Sequence, residues 1–240
     1  MSVHPPDRAY LQKPPRTRRT TRSANIGFYA RRGKRILDIT FSTLALILVL
    51  PFLLLIAVAV KLSSSGPVLF RQIRVGKGGA GFEILKFRSM SANAEANGSQ
   101  ITGVGDKRVT RVGSLLRRTK LDELPQFWNV LRGDMSLVGP RPEVPKYVAL
   151  YSDEQRKVLS ILPGLTDFAT VEYRHEEELL GRQADPEQFY VNELMVRKLT
   201  LNLRYVSELS FRTDIRLLYL TVMALLRRAN SNGSESSVKA

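Results

Sequence analysis

The chain has 240 residues, 43% of them hydrophobic, and this length is sufficient for one folded domain with a hydrophobic core. Its 37 lysine and arginine residues outnumber the 22 acidic residues and give a formal net charge of +15, which favours nucleic acid, anionic lipid or a phosphorylated small molecule as a partner. The absence of cysteine excludes disulfide bonds, thiolate metal sites and a cysteine nucleophile.

The first 31 residues form a basic segment that we predict to be a disordered arm. Between Met1 and Arg35 there are ten lysine or arginine residues and one acidic residue, Asp7. The segment is rich in Pro, Arg, Thr and Ser and lacks an apolar period, which is typical of a disordered arm near anionic headgroups. More than half of the net charge therefore precedes the apolar run that follows.

Residues 36–60 form a long apolar run in which Asp38 is the only charged residue. The run exceeds the roughly 20 apolar residues that a membrane-spanning helix needs. Pro51 lies within it, and a proline inside a helix removes one hydrogen bond and clashes with the preceding turn. A cleaved signal peptide fits less well, because the basic leader and the apolar run are both too long.

The charge on both sides of the run favours a helix that enters the membrane and returns to the same side. The basic leader precedes the run, Lys61 and Arg71 follow it, and basic flanks prefer the cytoplasmic side. We therefore predict a re-entrant helix broken at Pro51. A kinked single span remains open at this point, since proline is common in spanning helices.

Two strand-like runs, VLFRQIRVG and GFEILKFRSM, follow the membrane segment and enclose the turn KGGA. This pattern predicts a β-hairpin. Gly76, Gly78 and Gly81 match the spacing G-x-G-x-x-G, but a dinucleotide site requires a helix directly after the loop. A second strand-like run follows instead, so the glycines indicate a hairpin turn.

Residues 91–110 predict a loop, and VGSLLRRTKLDEL predicts a short helix after it. Pro125 suits the first turn of the next helix, which Gly133 would end. The runs FYVNELMVRKLTLNLRYV and DIRLLYLTVMALLRR have apolar residues at helical spacing, and we predict that at least one lies at the membrane surface. Residues 229–240 are predicted to be a disordered tail.

The densest group of chemically distinctive residues lies in KLDELPQFWNVLRGDMSLVGPRPE. Asp122 and Glu123 are adjacent carboxylates, and their repulsion raises one pKa unless a cation or metal lies nearby. Four neighbouring residues could supply cations: Arg117, Arg118, Lys120 and Arg141. These residues alone leave open that the two carboxylates only cap the following helix.

Lys86 and Arg88 in KFRSM, and Arg141 between Pro140 and Pro142, are further candidates. A stiff backbone around Arg141 suits a positioned phosphate clamp. The alternatives are solvated strand charges for Lys86 and Arg88 and a simple turn at Arg141.

The order of these motifs resembles the bacterial sugar transferase family, the monotopic polyprenyl-phosphate phosphoglycosyl transferases. The resemblance rests on the basic leader, the apolar run with Pro51, RQIRVG, KFRSM, LDELPQFWNVLRGDMSLVGPRPE and LPGLT. It covers about residues 32–228, which we interpret as one membrane-associated catalytic domain. It implies an α+β, mostly helical fold with a re-entrant membrane helix over 36–60, a small β-hairpin and amphipathic interfacial helices.

The resemblance also implies an activity: transfer of a sugar 1-phosphate from a nucleoside diphosphate sugar, expected to be a UDP-sugar, to polyprenyl (undecaprenyl) phosphate. This reaction would be the first step of exopolysaccharide, O-antigen or other glycoconjugate assembly. Asp122 is implied as the nucleophile that carries a phosphosugar, and Mg²⁺ (or Mn²⁺) would be held by Glu123 and Asp122.

The resemblance assigns further roles and a location. Implied phosphate-binding residues are Lys86, Arg88, Arg118 and Arg141, and implied structural residues are Pro51, Pro140 and Pro142. The implied partners are the two substrates and anionic lipids at the cytoplasmic face of the bacterial inner membrane, with a homodimer left open and nucleic acid not expected. The chain looks like the minimal catalytic unit with a basic arm.

Two departures from the family pattern stand out: Leu50 precedes Pro51 where many members have serine, and DFATVEYRHEEELL follows LPGLT. The second departure predicts a different sugar or nucleotide preference. The competing hypotheses are a membrane-anchored adaptor whose basic arm, residues 1–35, binds nucleic acid, and a family member that has lost its activity.

Overall fold

The computed structural model describes residues 29–91 and 106–237. Within these ranges the chain is mostly helical, with an antiparallel hairpin and a short parallel strand pair, which confirms the predicted α+β class. Of the predicted arm, residues 1–28 lie outside the described residues, and Tyr29–Gly33 forms a π-helical turn. Most of the predicted loop over 91–110 also lies outside them.

Helix α1, Lys34–Ser63, contains the apolar run and continues through Pro51. The helix therefore does not end at Pro51, where a break was predicted. Proline removes one backbone hydrogen bond, and the neighbouring turns keep theirs. The side chains that α1 buries near its start are polar, namely Lys34, Asp38 and Ser42, whereas most of its apolar side chains are exposed. Polar residues towards the protein and apolar residues outwards are the arrangement expected in lipid.

The hairpin consists of β1, Leu69–Val75, and β2, Gly81–Phe87, paired antiparallel from Leu69↔Phe87 to Val75↔Gly81. Gly78 lies in the connecting turn with φ 70°, a left-handed conformation that favours glycine. A strand rather than a helix follows the glycines, which confirms the hairpin and disfavours a dinucleotide site.

Two short helices follow the hairpin: α2, Arg111–Thr119, and α3, Gln126–Arg132. Gly133, with φ 89°, ends α3 as predicted. Asn129 is fully buried, accepts a hydrogen bond from the Leu85 amide at 3.0 Å and donates one to the Glu83 carbonyl at 2.7 Å. This amide therefore fixes α3 against β2.

Both ends of α1 contact the domain formed by these elements. At its start, Arg35 donates to two carbonyls in the last turn of α3 at 2.5 and 2.7 Å, and Asp38 accepts from the Leu137 amide at 2.9 Å. At its end, Val60 is fully buried against Phe87 and Leu116. The exposed apolar middle of α1 thus lies between two anchored ends.

The remaining elements complete the domain. Strands β3, Ser136–Val138, and β4, Gly164–Thr166, pair in parallel. Short helices are α4 (Pro145–Val148), α5 (Phe168–Glu172), α6 (Glu176–Gly181) and α7 (Pro186–Phe189), and long helices are α8 (Met195–Glu208) and α9 (Phe211–Ser237). The disordered tail predicted from residue 229 is instead helical through Ser237, since no proline interrupts the backbone hydrogen bonds of α9.

Candidate active site

Asp122 and Glu123 lie in a single 3₁₀ turn, Leu121–Glu123, between α2 and α3. Both flanking helices contact α1, because Leu116 of α2 packs against its end and the last turn of α3 binds Arg35 near its start. The two carboxylates are therefore held beside the apolar helix.

Two cations converge on Glu123. Its Oε1 accepts hydrogen bonds from the Arg141 guanidinium and from Lys86 Nζ, the latter at 3.4 Å. Burial alone raises the pKa of Glu123, but the charges of Arg141, Lys86 and Lys120 outweigh it and hold this pKa well below its usual range. Glu123 is therefore an anion at neutral pH.

Asp122 has a different environment from its neighbour. It is 6% exposed, and its Oδ1 is buried without a hydrogen-bond partner among residues 29–91 and 106–237. Burial and then the charge of Glu123 raise the pKa of Asp122 to about 6, against the opposing charges of Lys86, Lys120 and Arg117. A carboxylate with a buried, unpaired oxygen is available to react with a ligand or to bind it.

Backbone contacts position Arg141. Its amide donates to Asp167 Oδ2 at 3.0 Å, and Asp167 Oδ1 accepts from the Thr170 amide at 2.6 Å. The carbonyls of the flanking prolines are hydrogen-bonded as well. The Pro140 carbonyl accepts from the Gly164 amide at 2.9 Å, and the Pro142 carbonyl accepts from the Arg74 guanidinium at 3.2 Å. The loop that aims Arg141 at Glu123 is thereby held on both sides.

The structure gives Arg88 a role other than the predicted phosphate contact. Its guanidinium donates to the carbonyls of Pro67, of Ser64 at 2.7 Å and of Val60 at 3.3 Å. The carbonyls at a helix C-terminus have no partner within the helix, and Arg88 supplies one where α1 ends. These contacts occupy both terminal nitrogens of Arg88 and support the end of α1, and its phosphate contact stays a prediction.

Arg118 is exposed on α2 and makes no hydrogen bond or ion pair within the described parts of the chain. The structure does not bring it to Glu123, and its phosphate contact stays a prediction. Asp134 accepts from Asn129 at 3.3 Å and pairs with Arg132, so it orders the loop after α3.

The residues present fit a cation that is shared with a substrate. No group of three or more His, Asp or Glu that could hold a metal ion occurs in the described ranges. Mg²⁺ is usually bound by one or two protein carboxylates together with substrate phosphates and water. The unpaired Oδ1 of Asp122, next to Glu123, matches that donor set, and Mn²⁺ accepts the same ligands.

Sequence reasoning missed three residues that support the site: Asn129, Asp167 and Glu177. Glu177 on α6 pairs with Arg117 at 2.6 Å, so the segment that departs from the family pattern lies against α2. An N-cap pattern before Phe168 could have indicated Asp167 as a cap, but not its contact with Arg141. Asn129 and Glu177 gave no local signal.

Comparison with known proteins finds one matching family model and several similar sequences. The sequence model of the family described as "Bacterial sugar transferase" matches residues 29–228. The UDP-N-acetylgalactosamine-undecaprenyl-phosphate N-acetylgalactosaminephosphotransferase of Aeromonas hydrophila is 39% identical over 80% of this chain and 43% of its own length.

Two further relatives are named UDP-glucose:undecaprenyl-phosphate glucose-1-phosphate transferase. The one from Caulobacter vibrioides is 41% identical over 82% of this chain and 71% of its own length. The one from Escherichia coli is 40% identical over 79% of this chain and 39% of its own length. The chain thus spans less than half the length of two of these three curated relatives.

Proposed function

The chain belongs to the bacterial sugar transferase family, as the motif order predicted, and from this premise we propose that it transfers a sugar 1-phosphate from a nucleoside diphosphate sugar to polyprenyl phosphate. The observation that carries the proposal is the buried Asp122–Glu123 pair, with Glu123 bound by two cations and Asp122 unpaired at Oδ1. The names of the relatives support a UDP-sugar as donor and undecaprenyl phosphate as acceptor.

In the first step, a carboxylate oxygen of Asp122 attacks the sugar-bearing phosphorus of the donor. The bond from that phosphorus to the oxygen bridging the two phosphates breaks, and the nucleoside monophosphate leaves with that oxygen. The sugar phosphate is then held on Asp122 as a mixed anhydride. The reacting carboxylate has no hydrogen bond at Oδ1 to be broken first, which favours this residue over Glu123.

In the second step, a phosphate oxygen of the polyprenyl phosphate attacks the same phosphorus. The bond to Asp122 breaks, the carboxylate is restored, and the product is a polyprenyl diphosphate sugar. Leu115 on α2 and Trp128 on α3, 50% and 53% exposed, offer apolar surface for the acceptor chain on either side of the turn. Such surface would orient the acceptor phosphate towards Asp122.

Lys86 and Arg141 would stabilise the negative charge of the phosphate groups. Both contact Glu123, and both are able to turn their remaining N–H groups to phosphate oxygens, where they stabilise charge in the transition state. Mg²⁺ bound by Glu123 and Asp122 would neutralise the donor diphosphate and polarise its phosphoryl group.

We propose that α1 is re-entrant rather than spanning. A straight helix of 30 residues is about 45 Å long, enough to cross a hydrocarbon core of about 30 Å. A crossing would separate its ends on opposite membrane faces, yet Arg35 and Val60 both contact one extramembrane domain. Contact of both ends with the same domain supports entry and return on one face, and we propose that a bend at Pro51 allows the return.

The last helix supports attachment to the same membrane face. Asp214 and Leu217 of α9 are buried, whereas a second stripe of apolar residues is exposed. This stripe comprises Phe211, Ile215, Tyr219, Val222 and Leu226. It follows helical spacing, and with the exposed arginines Arg212 and Arg216 beside it α9 suits the surface of an anionic membrane. We propose that this surface is the cytoplasmic face of the bacterial inner membrane, which the positive charge of the chain favours.

An assay of the purified protein in detergent tests the activity. UDP-glucose and UDP-N-acetylgalactosamine, labelled in the sugar, are incubated with Mg²⁺ and with or without undecaprenyl phosphate. Without acceptor, we expect release of UMP and a protein-bound sugar phosphate that mass spectrometry detects. With acceptor, we expect transfer of the label to the lipid. Adduct persisting in Asp122→Asn would contradict the nucleophile, and absence of transfer from a panel of nucleotide sugars would contradict the function.

Thiol labelling tests the topology, because the chain has no cysteine and single cysteines are unambiguous probes. The variants Arg32→Cys and Leu62→Cys place a thiol at exposed positions before and at the end of α1. Both should react with a membrane-impermeant reagent in inside-out vesicles and neither in right-side-out vesicles. Labelling of only one from each side would show a spanning helix.

A further inference from the structure

Lys120 has an unfavourable backbone conformation immediately before the carboxylate pair. Its φ is 59° and its ψ is 15°, and it is the only non-glycine residue with positive φ in the described ranges. The left-handed conformation is strained for a residue with a side chain, and glycine usually takes this place after a helix. The turn that ends α2 would therefore form more easily with glycine.

The side chain of Lys120 has no partner that would explain this strain. It is half-buried, and its ammonium makes no hydrogen bond or ion pair within residues 29–91 and 106–237. It is near enough to Asp122 and Glu123 for its charge to lower the pKa of both. The Lys120 amide caps α2 by donating to the carbonyls of Leu116 and Arg117, which explains the left-handed turn but not a lysine in it. Strained residues of this kind are concentrated at functional sites.

Phosphate binding at the pair favours a cation whose N–H groups have no hydrogen-bond partner. A nucleoside diphosphate sugar brings about two negative charges to a site that already holds two carboxylates. Lys86 and Arg141 are both hydrogen-bonded to Glu123 in the described structure. The Lys120 ammonium has no hydrogen-bond partner in the described part of the chain.

We propose that Lys120 binds a phosphate oxygen of a substrate at the Asp122–Glu123 pair, a role that rests on the proposed function. The same chemical group occurs in the donor diphosphate and in the acceptor phosphate. In either case the left-handed turn holds the lysine next to the carboxylate pair, where its charge already acts on both Asp122 and Glu123, and this placement makes the end of α2 less favourable.

Four variants separate this role from a structural one. Lys120→Gly removes the ammonium and relieves the backbone, Lys120→Gln removes the charge and keeps the backbone requirement, and Lys120→Arg keeps the charge. Lys77→Ala is the matched control, because Lys77 is exposed in the hairpin turn and has no ion pair within the described chain.

We expect Lys120→Gly to melt at the same temperature as the unmodified protein or up to about 4 °C higher. It should nevertheless slow one half-reaction about 10- to 100-fold, the range for loss of a charged hydrogen bond. Lys120→Gln should slow the same half-reaction similarly, Lys120→Arg should retain most of the rate, and Lys77→Ala should match the unmodified protein.

The half-reactions identify the phosphate. UMP release from UDP-glucose without acceptor measures the donor step, and discharge of preformed adduct by undecaprenyl phosphate measures the acceptor step. Slowing of the first assigns Lys120 to the donor, and slowing of the second assigns it to the acceptor. Unchanged rates in both for Lys120→Gly and Lys120→Gln overturn the proposal, as does a failure of Lys120→Arg to restore the rate at equal melting temperature.

Binding measurements keep this inference separate from the proposed function. The affinities for UDP-glucose and for undecaprenyl phosphate in nanodiscs are compared between the unmodified protein and Lys120→Gly. If no sugar phosphate is ever transferred but one affinity falls at least tenfold, the reaction is refuted and the phosphate contact is retained. If no sugar phosphate is transferred and neither affinity changes, the phosphate contact is refuted as well.

Discussion

Two buried charged clusters lie along α1, and they differ in how completely their polar atoms are bonded. At the start of α1, Asp214 accepts from Lys34 and Tyr29 at Oδ2 and from Tyr205 at Oδ1, each at 2.6 Å. At the carboxylate pair, Asp122 has a buried oxygen with no partner in the described chain.

The difference indicates what each cluster does. Every oxygen of Asp214 is satisfied, so this cluster joins α1 to α8 and α9 and contributes to stability and fixed geometry. The pair at Asp122 and Glu123 leaves an acceptor open and holds two like charges together, which is unfavourable for stability and useful for binding a phosphate or a cation. Variants in the two clusters should therefore have opposite effects on stability and activity.

The largest expected effect is on activity at the open cluster. Asp122→Asn should lower the rate of sugar-phosphate transfer about 10⁴-fold, because the proposed nucleophile is lost. Its melting temperature should stay the same or rise, since a buried repulsion with Glu123 is removed. Rates and thermal unfolding are measured on the same preparation.

Asp134→Asn is the matched control for this change. It alters a carboxylate of the neighbouring loop whose polar partners in the described part of the chain are Asn129 and Arg132. A similar loss of activity in Asp134→Asn would show that the region responds to any change of charge and not to the loss of a nucleophile.

The largest expected effect on stability is at the satisfied cluster. Asp214→Ala should lower the free energy of unfolding by about 3–5 kcal/mol, because Lys34 remains buried without its partner. The double variant Lys34→Met, Asp214→Leu should recover much of this loss. Denaturant unfolding measures both, and a double variant no more stable than the single one would contradict the ion-pair explanation.

The pH dependence of activity distinguishes the two carboxylates of the open cluster. The rate should rise with pH with a midpoint near the Asp122 pKa of about 6 and level off above it, because the proposed nucleophile must lose its proton to react. Lys86 lowers the pKa of Asp122, so Lys86→Met should move the midpoint to higher pH in addition to slowing the plateau rate. A slower plateau with an unmoved midpoint would contradict the assignment of this titration to Asp122.

The smallest expected effect comes from Arg88, whose two terminal guanidinium nitrogens bind carbonyls at the end of α1. Arg88→Met should lower the free energy of unfolding by about 1–3 kcal/mol through the unpaired carbonyls at the end of α1. The KM for the donor sugar should change less than threefold, whereas Arg141→Met should raise it about tenfold or more. A large rise in KM for Arg88→Met would restore its predicted phosphate contact.

Several features were predictable because their signals are local. The hairpin followed from two strand-like runs around KGGA, and the end of α3 followed from Gly133, which alone suits a φ of 89°. The membrane segment followed from the unbroken apolar run, and Asp122 and Glu123 followed from a motif of contiguous residues. Each of these depends on neighbours within a few positions along the chain.

Other features depend on contacts between distant positions. Lys86 and Arg88 are two residues apart in KFRSM, and nothing in that spacing distinguishes the lysine that binds Glu123 from the arginine that binds the end of α1. Similarly, Glu177 meets Arg117 across 60 positions. A pattern of residue types contains no information about which of two adjacent cations will face which partner.

The sequence by itself determined the family, the hairpin, the apolar helix and the identity of the carboxylate pair, because short-range patterns and a contiguous motif specify them. Only the tertiary structure decided that α1 is continuous at Pro51, that both its ends meet one domain, and that Asp122 is left unpaired while Glu123 is bound by Lys86 and Arg141. The physical reason is that burial and pairing are properties of the packed chain: each polar group is satisfied or left open by residues that folding brings from far away.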